Sequence, residues 1–181
     1  MNDSSLQALV RTLDRALREP DRSGAAKVAD LLARYAAEQA DWRDYMRFRD
    51  ECYARNLVSA SELFELLVIC WQPGQVSPIH DHQGQRCWMA VLDGGMRETQ
   101  FQVDGRGPLR AGRTSVFERG QVAFIRDEIA LHEIAPAGAG AGVTLHLYSR
   151  PIRECRIFDR QTGQVSVRGL AYHSVEGVLQ V

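Results

Sequence analysis

The sequence predicts a mainly β protein with helices at its N-terminus. From about residue 53 onward, short apolar runs alternate with Gly, Pro and Asp turns, a pattern typical of a β-sandwich or barrel. Residues 4 to about 50 are instead rich in Ala, Leu, Arg, Asp and Glu, with apolar residues at helical spacing. The chain has 181 residues and is 45% hydrophobic, which suits one domain with a proper core. We therefore expect a single domain over residues 1–181.

Two or three helices with one apolar stripe are expected before the strands. Caps are available at Asn2, Asp3 and Ser4, and residues 20–24 (PDRSG) should break the first helix from the second. The apolar positions of the successive pieces are Leu6, Leu9, Val10, Leu13 and Leu17, then Val28, Leu31, Leu32 and Tyr35, then Trp42, Tyr45, Met46 and Phe48.

The strand region contains several short apolar runs that need one another to bury a face. These runs are 63–71 (LFELLVICW), 87–92 (CWMAVL), 95–103 (GMRETQFQV), 121–126 (QVAFIR) and 143–149 (VTLHLYS). Residues 135–142 form an Ala/Gly-rich loop between two of them. The helical part at about 4–50 is expected to pack on the resulting barrel.

Composition excludes several classes of partner. The formal net charge is −1 with no basic patch, so nucleic acid is not expected to bind. No apolar run has membrane-spanning length, and the first residues lack a secretory apolar core. The four cysteines contain no CxxC pair and are interpreted as reduced, which indicates a cytoplasmic protein. The sequence does not give an oligomeric state; a monomer is favoured.

Three histidines form the strongest chemical signal. His80 and His82 are two residues apart, so in a strand both imidazoles would point to the same face. His132 lies further along the chain in the apolar segment 130–134 (ALHEI). Three neutral imidazoles suit Fe, Zn or Cu and leave coordination positions open for ligands.

The residues around the His-x-His pair follow a longer pattern. Gly74 precedes His80 by six residues and Gly94 follows His82 by twelve, which is the cupin pattern G-x5-H-x-H-x4-E-x6-G with Cys87 at the glutamate position. Without a carboxylate ligand, the charge of a divalent metal stays uncompensated, and such a site favours an anionic ligand such as a thiolate. Cys87 itself could be a fourth ligand or a small buried hydrophobe.

Beyond this pattern, the sequence resembles the cysteine dioxygenase family of the cupin superfamily over about residues 45 to 175. The order and spacing of several short motifs carry the resemblance. They are Cys52–Val58 (CYARNLV), Cys70–Trp71 (CW), Ser77–His82 (SPIHDH), Leu131–His132 (LH), Leu145–Ser149 (LHLYS) and Cys155–Gly163, which contains FDRQTG. The resemblance implies a cupin-type barrel, the double-stranded β-helix or jelly roll.

The resemblance also implies roles for individual residues. The family's Fe(II) ligands fall on His80, His82 and His132, and its carboxylate-binding arginine falls on Arg55, with Tyr53 beside it. Its outer histidine falls on His146 and its active-site tyrosine on Tyr148. In mammalian members a thioether bond joins that tyrosine to a cysteine that corresponds to Cys87, whereas many bacterial members have Gly there. These roles describe a dioxygenase that oxidises L-cysteine with O2 to cysteine sulfinic acid, a reaction of cysteine catabolism.

The residues themselves support part of this assignment. A guanidinium such as that of Arg55 can bind a carboxylate with two hydrogen bonds. Thr144, His146 and Tyr148 alternate along one predicted strand and share a face, so we expect a hydrogen-bond chain that orients the phenol. We expect Trp71, Trp88 and Tyr172 in the core.

One departure from the family's sequence pattern bears on which thiol is the substrate. Mammalian members continue Tyr-Ser-Pro-Pro, whereas here Arg150 and Pro151 follow Tyr148-Ser149. Arg150 could add a second cation at the rim of the pocket, as in the related mercaptopropionate dioxygenases, which tend to have Gln where this chain has Arg55. Cysteine is favoured because Arg55 and Cys87 both indicate it. The alternatives are another small thiol such as 3-mercaptopropionate, a non-catalytic metal-binding cupin, and a zinc-dependent cupin isomerase.

Overall fold

The computed structural model describes residues 5–18, 24–102 and 107–180. Helix α1 spans Ser5–Arg18, helix α2 spans Gly24–Glu38, and a 3₁₀ helix covers Asp41–Tyr45. The predicted caps at residues 2–4 and most of the predicted break at 20–24 lie outside the described residues. Thirteen strands follow in the described part of the chain: β1 Ala54–Ala60, β2 Glu65–Trp71, β3 Ile79–His80, β4 Arg86–Asp93, β5 Met96–Gln102, β6 Arg110–Phe117, β7 Val122–Ile125, β8 Leu131–Pro136, β9 Gly142–Ser149, β10 Glu154–Phe158, β11 Val165–Gly169, β12 Ser174–Val175 and β13 Val178–Leu179.

The strands form two sheets. One has seven strands in the order β13-β12-β1-β2-β9-β4-β7, and the other has six in the order β11-β10-β3-β8-β5-β6. Neighbouring strands are antiparallel except for β1 and β12, which are parallel. All five predicted strand runs are found, as β2, β4, β5, β7 and β9, which confirms the mainly β class with N-terminal helices.

The seven-stranded sheet is buried on both faces. On β2, Leu66 and Val68 belong to an apolar cluster that includes both helices. Leu67 and Ile69, which alternate with them along the strand, belong to a second cluster with Ile134 of the other sheet. This alternation follows from the two-residue period of a strand. It explains why β2 reads as an uninterrupted apolar run rather than an alternating one.

Asp41 ties the helical part together. Its carboxylate accepts hydrogen bonds from the backbone N–H of Leu6 at the start of α1 (2.8 Å) and from the hydroxyl of Tyr35 in α2 (2.7 Å). The first N–H groups of a helix have no partner within the helix. Asp41, 35 positions away from Leu6, therefore serves as the N-terminal cap of α1.

Candidate metal centre and active site

The three predicted metal ligands meet in one place. β3 pairs with β8 so that His80 lies directly opposite His132. The potential ligand atoms of His80, His82 and His132 all lie within 4.8 Å of one another. The Nε2 atoms of His82 and His132 are 3.2 Å apart.

His82 reaches this position by a route that the spacing alone does not predict. Strand β3 ends at His80, so Asp81 and His82 lie outside it. The carboxylate of Asp127 accepts hydrogen bonds from the backbone N–H groups of His82 and Gly84, each at 2.7 Å. The expectation of two histidines on one strand is therefore wrong for His82, because a side chain 45 residues away orients this backbone.

Asp81 anchors the same segment from the other side. Its carboxylate is completely buried and accepts hydrogen bonds from the backbone N–H (2.8 Å) and the Nε (2.5 Å) of Arg156. Buried charges persist in proteins when they are paired in this way. The residue between the two histidines thus holds the turn onto strand β10.

Hydrogen bonds on the far side of two rings set their tautomers. His132 Nδ1 lies 2.7 Å from Oε1 of the buried Glu98, and His80 Nδ1 lies 2.9 Å from the carbonyl oxygen of Pro78. Each Nδ1 therefore donates, and each Nε2 keeps a free lone pair. Burial and then the adjacent His82 lower the pKa of His80 to about 3. Burial and the neighbouring imidazoles likewise hold the pKa of His132 well below its usual range.

The donor set fits a bound divalent metal ion. Unprotonated nitrogens that face one another at short distance repel unless a cation lies between them. Three imidazoles, with two rings oriented by a carboxylate and a carbonyl, are the ligand type that Fe, Zn and Cu accept. We therefore assign His80, His82 and His132 as the residues that could hold the metal.

A cavity of about 420 Å³, counting the open space at its mouth, adjoins this centre. It brings most of the predicted site residues together. The residues that line it include His80, His132, Tyr53, Arg55, His146, Tyr148, Trp71 and Cys155.

Arg55 presents a buried cation to this cavity. It is only 7% exposed, and its Nη2 donates to Oε1 of Glu65 at 3.0 Å. Its Nε is buried without a hydrogen-bond partner among the described residues. Tyr53, two residues earlier, stacks on Trp71 with ring centroids 4.5 Å apart. The arginine can therefore offer N–H groups to an anion inside the cavity.

Tyr148, His146 and Cys87 form a second group beside the histidines. The phenol oxygen of Tyr148 lies 3.3 Å from His146 Nδ1, and Cys87 Sγ lies 3.9 Å from the same atom. Cys87 and Tyr148 are direct cross-strand partners on β4 and β9, a position in which Cβ atoms are typically about 4.5–5.5 Å apart. Burial raises the pKa of the Cys87 thiol and the Tyr148 phenol, so both are protonated at neutral pH.

Thr144 and Arg150 lie elsewhere than expected. Thr144 shares the face of His146 and Tyr148, but its hydroxyl accepts from Trp71 Nε1 (3.0 Å) and donates to the carbonyl of Ile69 (3.4 Å). The predicted chain therefore reaches only His146 and Tyr148. Arg150 is exposed, with a backbone φ of 79°, and is not among the described residues that line the cavity.

Two acidic residues that the sequence did not indicate, Glu65 and Glu98, belong to the site, and Tyr172, expected in the core, lies beside one of them. Glu98 bonds to His132, while Glu65 bonds to Arg55 and accepts from the hydroxyl of Tyr172 at 2.5 Å. Tyr172 is half-buried and belongs to the surroundings of Arg55 rather than only to the core. The available signals were an acidic residue at the start of the otherwise apolar strand β2 (ELLVICW) and, on β5 (MRETQFQ), an acidic residue two positions after Met96, on the same face of the strand.

No helix in the described ranges is long and apolar enough to cross a membrane. The four cysteines are free thiols, with Cys52 exposed and the others buried.

Comparisons with known proteins agree with this geometry. The sequence profile of the family described as cysteine dioxygenase type I matches residues 1–161. Cysteine dioxygenase type 1 of Danio rerio is 32% identical over 98% of this chain and 90% of its own length. The Homo sapiens protein of that name is 32% identical over 96% of this chain and 88% of its own. A Klebsiella pneumoniae protein with a double-stranded β-helix domain superposes with a TM-score of 0.52 over 74% of this chain and 98% of its own, at 14% identity, and supports the cupin-type fold alone.

Proposed function

Because the chain belongs to the cysteine dioxygenase type I family, we propose that it is an Fe(II)-dependent dioxygenase that converts L-cysteine and O2 to cysteine sulfinic acid. One observation carries the proposal: the ligand atoms of three histidines meet in one place, and two of these histidines line the same cavity as a buried arginine and a buried tyrosine. A site with no carboxylate ligand suits an anionic substrate group such as a thiolate.

The roles of the residues follow from their positions. Bound iron supplies the redox chemistry that transfers both atoms of O2 to sulfur, and His80, His82 and His132 would hold it. Arg55 binds the substrate carboxylate through N–H groups that face the cavity, and Tyr53 packs beside it. His146 orients the phenol of Tyr148 toward the reacting groups. The buried surroundings exclude water, which strengthens each of these electrostatic contacts.

We further propose that Cys87 and Tyr148 are joined by a thioether bond in part of the protein. Their direct cross-strand pairing and common burial support this pairing. Formation of the bond removes one hydrogen atom from each residue, and O2, the two-electron oxidant, takes up both and is reduced to H2O2. The bond would fix the phenol without being required for turnover.

The position of Arg150 favours cysteine over a thiol acid without an amine, such as 3-mercaptopropionate. Arg150 is exposed and outside the lining, whereas Arg55 is buried within it. A non-catalytic metal-binding cupin would not need the arginine and tyrosine beside the metal ligands. We also propose that the protein is cytoplasmic and monomeric and that residues 1–181 form a single domain.

Oxygen uptake with a panel of small thiols tests the assignment. The protein should consume O2 faster with L-cysteine than with 3-mercaptopropionate at equal low concentration and should release the sulfinate. Arg55→Gln should lower kcat/KM for cysteine by roughly 30-fold to several thousand-fold, the scale of losing one partner of a buried charged hydrogen bond. Arg150→Ala should be milder. Preference for 3-mercaptopropionate, with Arg150→Ala the more damaging change, would refute cysteine as the substrate and leave a thiol dioxygenase.

A further inference from the structure

Glu65 is a buried acid that the proposed reaction does not use. Its side chain is completely buried, at the first position of β2, where it lies opposite Tyr148 of β9. Its Oε1 accepts from Arg55 at 3.0 Å, and its Oε2 accepts from the Tyr172 hydroxyl at 2.5 Å. Both carboxylate oxygens are therefore engaged, one of them by the cation that faces the cavity.

The contacts of Glu65 extend to the surface. The guanidinium of Arg153 lies 4.0 Å from Glu65 Oε2 and also donates to the hydroxyl of Tyr172. The Arg153 side chain is 64% exposed, whereas that of Arg55 is 7% exposed. The carboxylate of Glu65 thus lies between a buried and an exposed cation.

Glu65 contacts Arg55 but does not line the cavity. Among the described residues that line the cavity, Arg55 is present and Glu65 is not. The Nη2 of Arg55 is bonded to Glu65, while its buried Nε has no partner among the residues described. A substrate carboxylate in the cavity and the Glu65 carboxylate would therefore lie on different sides of one guanidinium.

We propose that Glu65 is a specificity-determining residue, whose negative charge offsets that of Arg55 and limits how strongly the cavity selects thiols that carry a carboxylate. This inference rests on the proposed function for the identity of the substrate. With Glu65 in place, the free site already holds a paired cation, and a bound carboxylate meets a second negative charge nearby. The bound carboxylate and the carboxylate of Glu65 repel each other appreciably, because water is excluded from the site.

The direction of the effect follows from this arrangement. Glu65→Gln removes the charge but keeps an oxygen that can accept from Arg55 Nη2, so the guanidinium keeps its place. Arg55 then lacks a countercharge until a carboxylate binds. The substitution should therefore tighten binding of a carboxylated thiol and leave binding of an analogue without a carboxylate unaffected.

Binding under nitrogen measures this without turnover. Iron-loaded protein is titrated calorimetrically with L-cysteine and with cysteamine, which has the same thiol and amine but no carboxylate. Glu65→Gln should lower the Kd for cysteine by about tenfold, equivalent to about 1.4 kcal/mol, with the Kd for cysteamine unchanged. Glu65→Asp keeps the charge and should restore a cysteine-to-cysteamine ratio close to that of the natural chain.

A surface variant tests the same idea in the opposite direction. Arg153→Gln removes an exposed cation that partly offsets Glu65, so cysteine should bind about twofold more weakly, the scale of an exposed ion pair, and cysteamine should not. Arg18→Gln is the matched control, because Arg18 is also 64% exposed and ion-paired but lies on α1. This arm remains decisive if Glu65→Gln does not fold.

Several outcomes would overturn the inference. An unchanged ratio in Glu65→Gln, or weaker binding of both ligands, assigns Glu65 a structural role only. Tighter cysteine binding in Arg153→Gln, or no change relative to Arg18→Gln, also contradicts it. Oxygen uptake by the unsubstituted protein separates the two proposals: protein that binds cysteine under nitrogen but does not oxidise it refutes the proposed function, whereas the ratio of Kd values still tests Glu65.

Discussion

Removal of Arg55 should destabilise the fold, quite apart from any effect on activity. Arg55→Met leaves Glu65 completely buried without its closest cation. Breaking a buried ion pair by removing one partner typically costs about 3–5 kcal/mol. Arg153 lies 4.0 Å from Glu65 but is mostly exposed, so solvent screening limits its compensation.

The expected change is large enough to measure by thermal unfolding. For a protein of this size, each kcal/mol shifts Tm by about 2–4 °C, so Arg55→Met should lower Tm by about 6–20 °C. The double variant Arg55→Met/Glu65→Leu removes both charges and should recover most of the loss, because apolar replacements of a buried pair are often neutral. Circular dichroism melting curves and urea titrations of the three proteins at pH 7 give the comparison.

The control is an exposed ion pair. Arg18→Met removes the partner of Asp14 on α1 and should leave Tm unchanged. A structural role for this ion pair is refuted if Arg55→Met melts within about 2 °C of the unsubstituted protein, or if the double variant is no more stable than the single one.

Three further predictions concern the metal centre, the cross-link and a turn. Glu98→Gln should weaken iron binding about 10- to 100-fold, because Glu98 orients His132, and an unchanged affinity in chelator competition would contradict that role. His82→Ala should abolish iron binding, and full iron loading of this variant by metal analysis would contradict the ligand assignment. After turnover with cysteine, mass spectrometry should detect a fraction of protein that has lost two hydrogens through a Cys87–Tyr148 bond, and recovery of both peptides only in intact form would refute the bond. Gly94→Ala should destabilise the fold by more than about 1 kcal/mol, since Gly94 has φ +68° and a Cβ there would lie 2.5 Å from the carbonyl oxygen of Ala141; an unchanged melting curve would contradict this.

Much of the fold and the metal centre was predictable because the relevant signals are local. The apolar runs that became β2, β4 and β9 are continuous in sequence, and the His-x-His pair stands between two glycines at characteristic spacing. Position 94 requires glycine because its backbone is left-handed and a side chain there would meet Ala141. These features depend on residues that are near in the chain or on a backbone conformation that one residue type favours.

The features that escaped prediction depend on distant contacts. His82 faces the metal centre because Asp127 binds its backbone, and no sequence period encodes that contact. Glu65 reads as a solvent-facing position in an apolar run, yet it is buried because both faces of its sheet are covered. Strand β6 is not among the apolar runs of the sequence because most of its residues are exposed and give no alternating pattern.

The double burial of the seven-stranded sheet restricts how the site can diverge. Along β2, β4 and β9, one residue faces the cavity side while its neighbour packs beneath the helices. Few side chains on these strands can be replaced by larger or smaller ones without disturbing either the active site or the helical layer. The reason is that protein interiors are packed as densely as crystals of small organic molecules. Adaptation to a different thiol is therefore most readily accommodated outside this sheet, in segments such as 150–153 and 170–173 that border the cavity and carry exposed side chains.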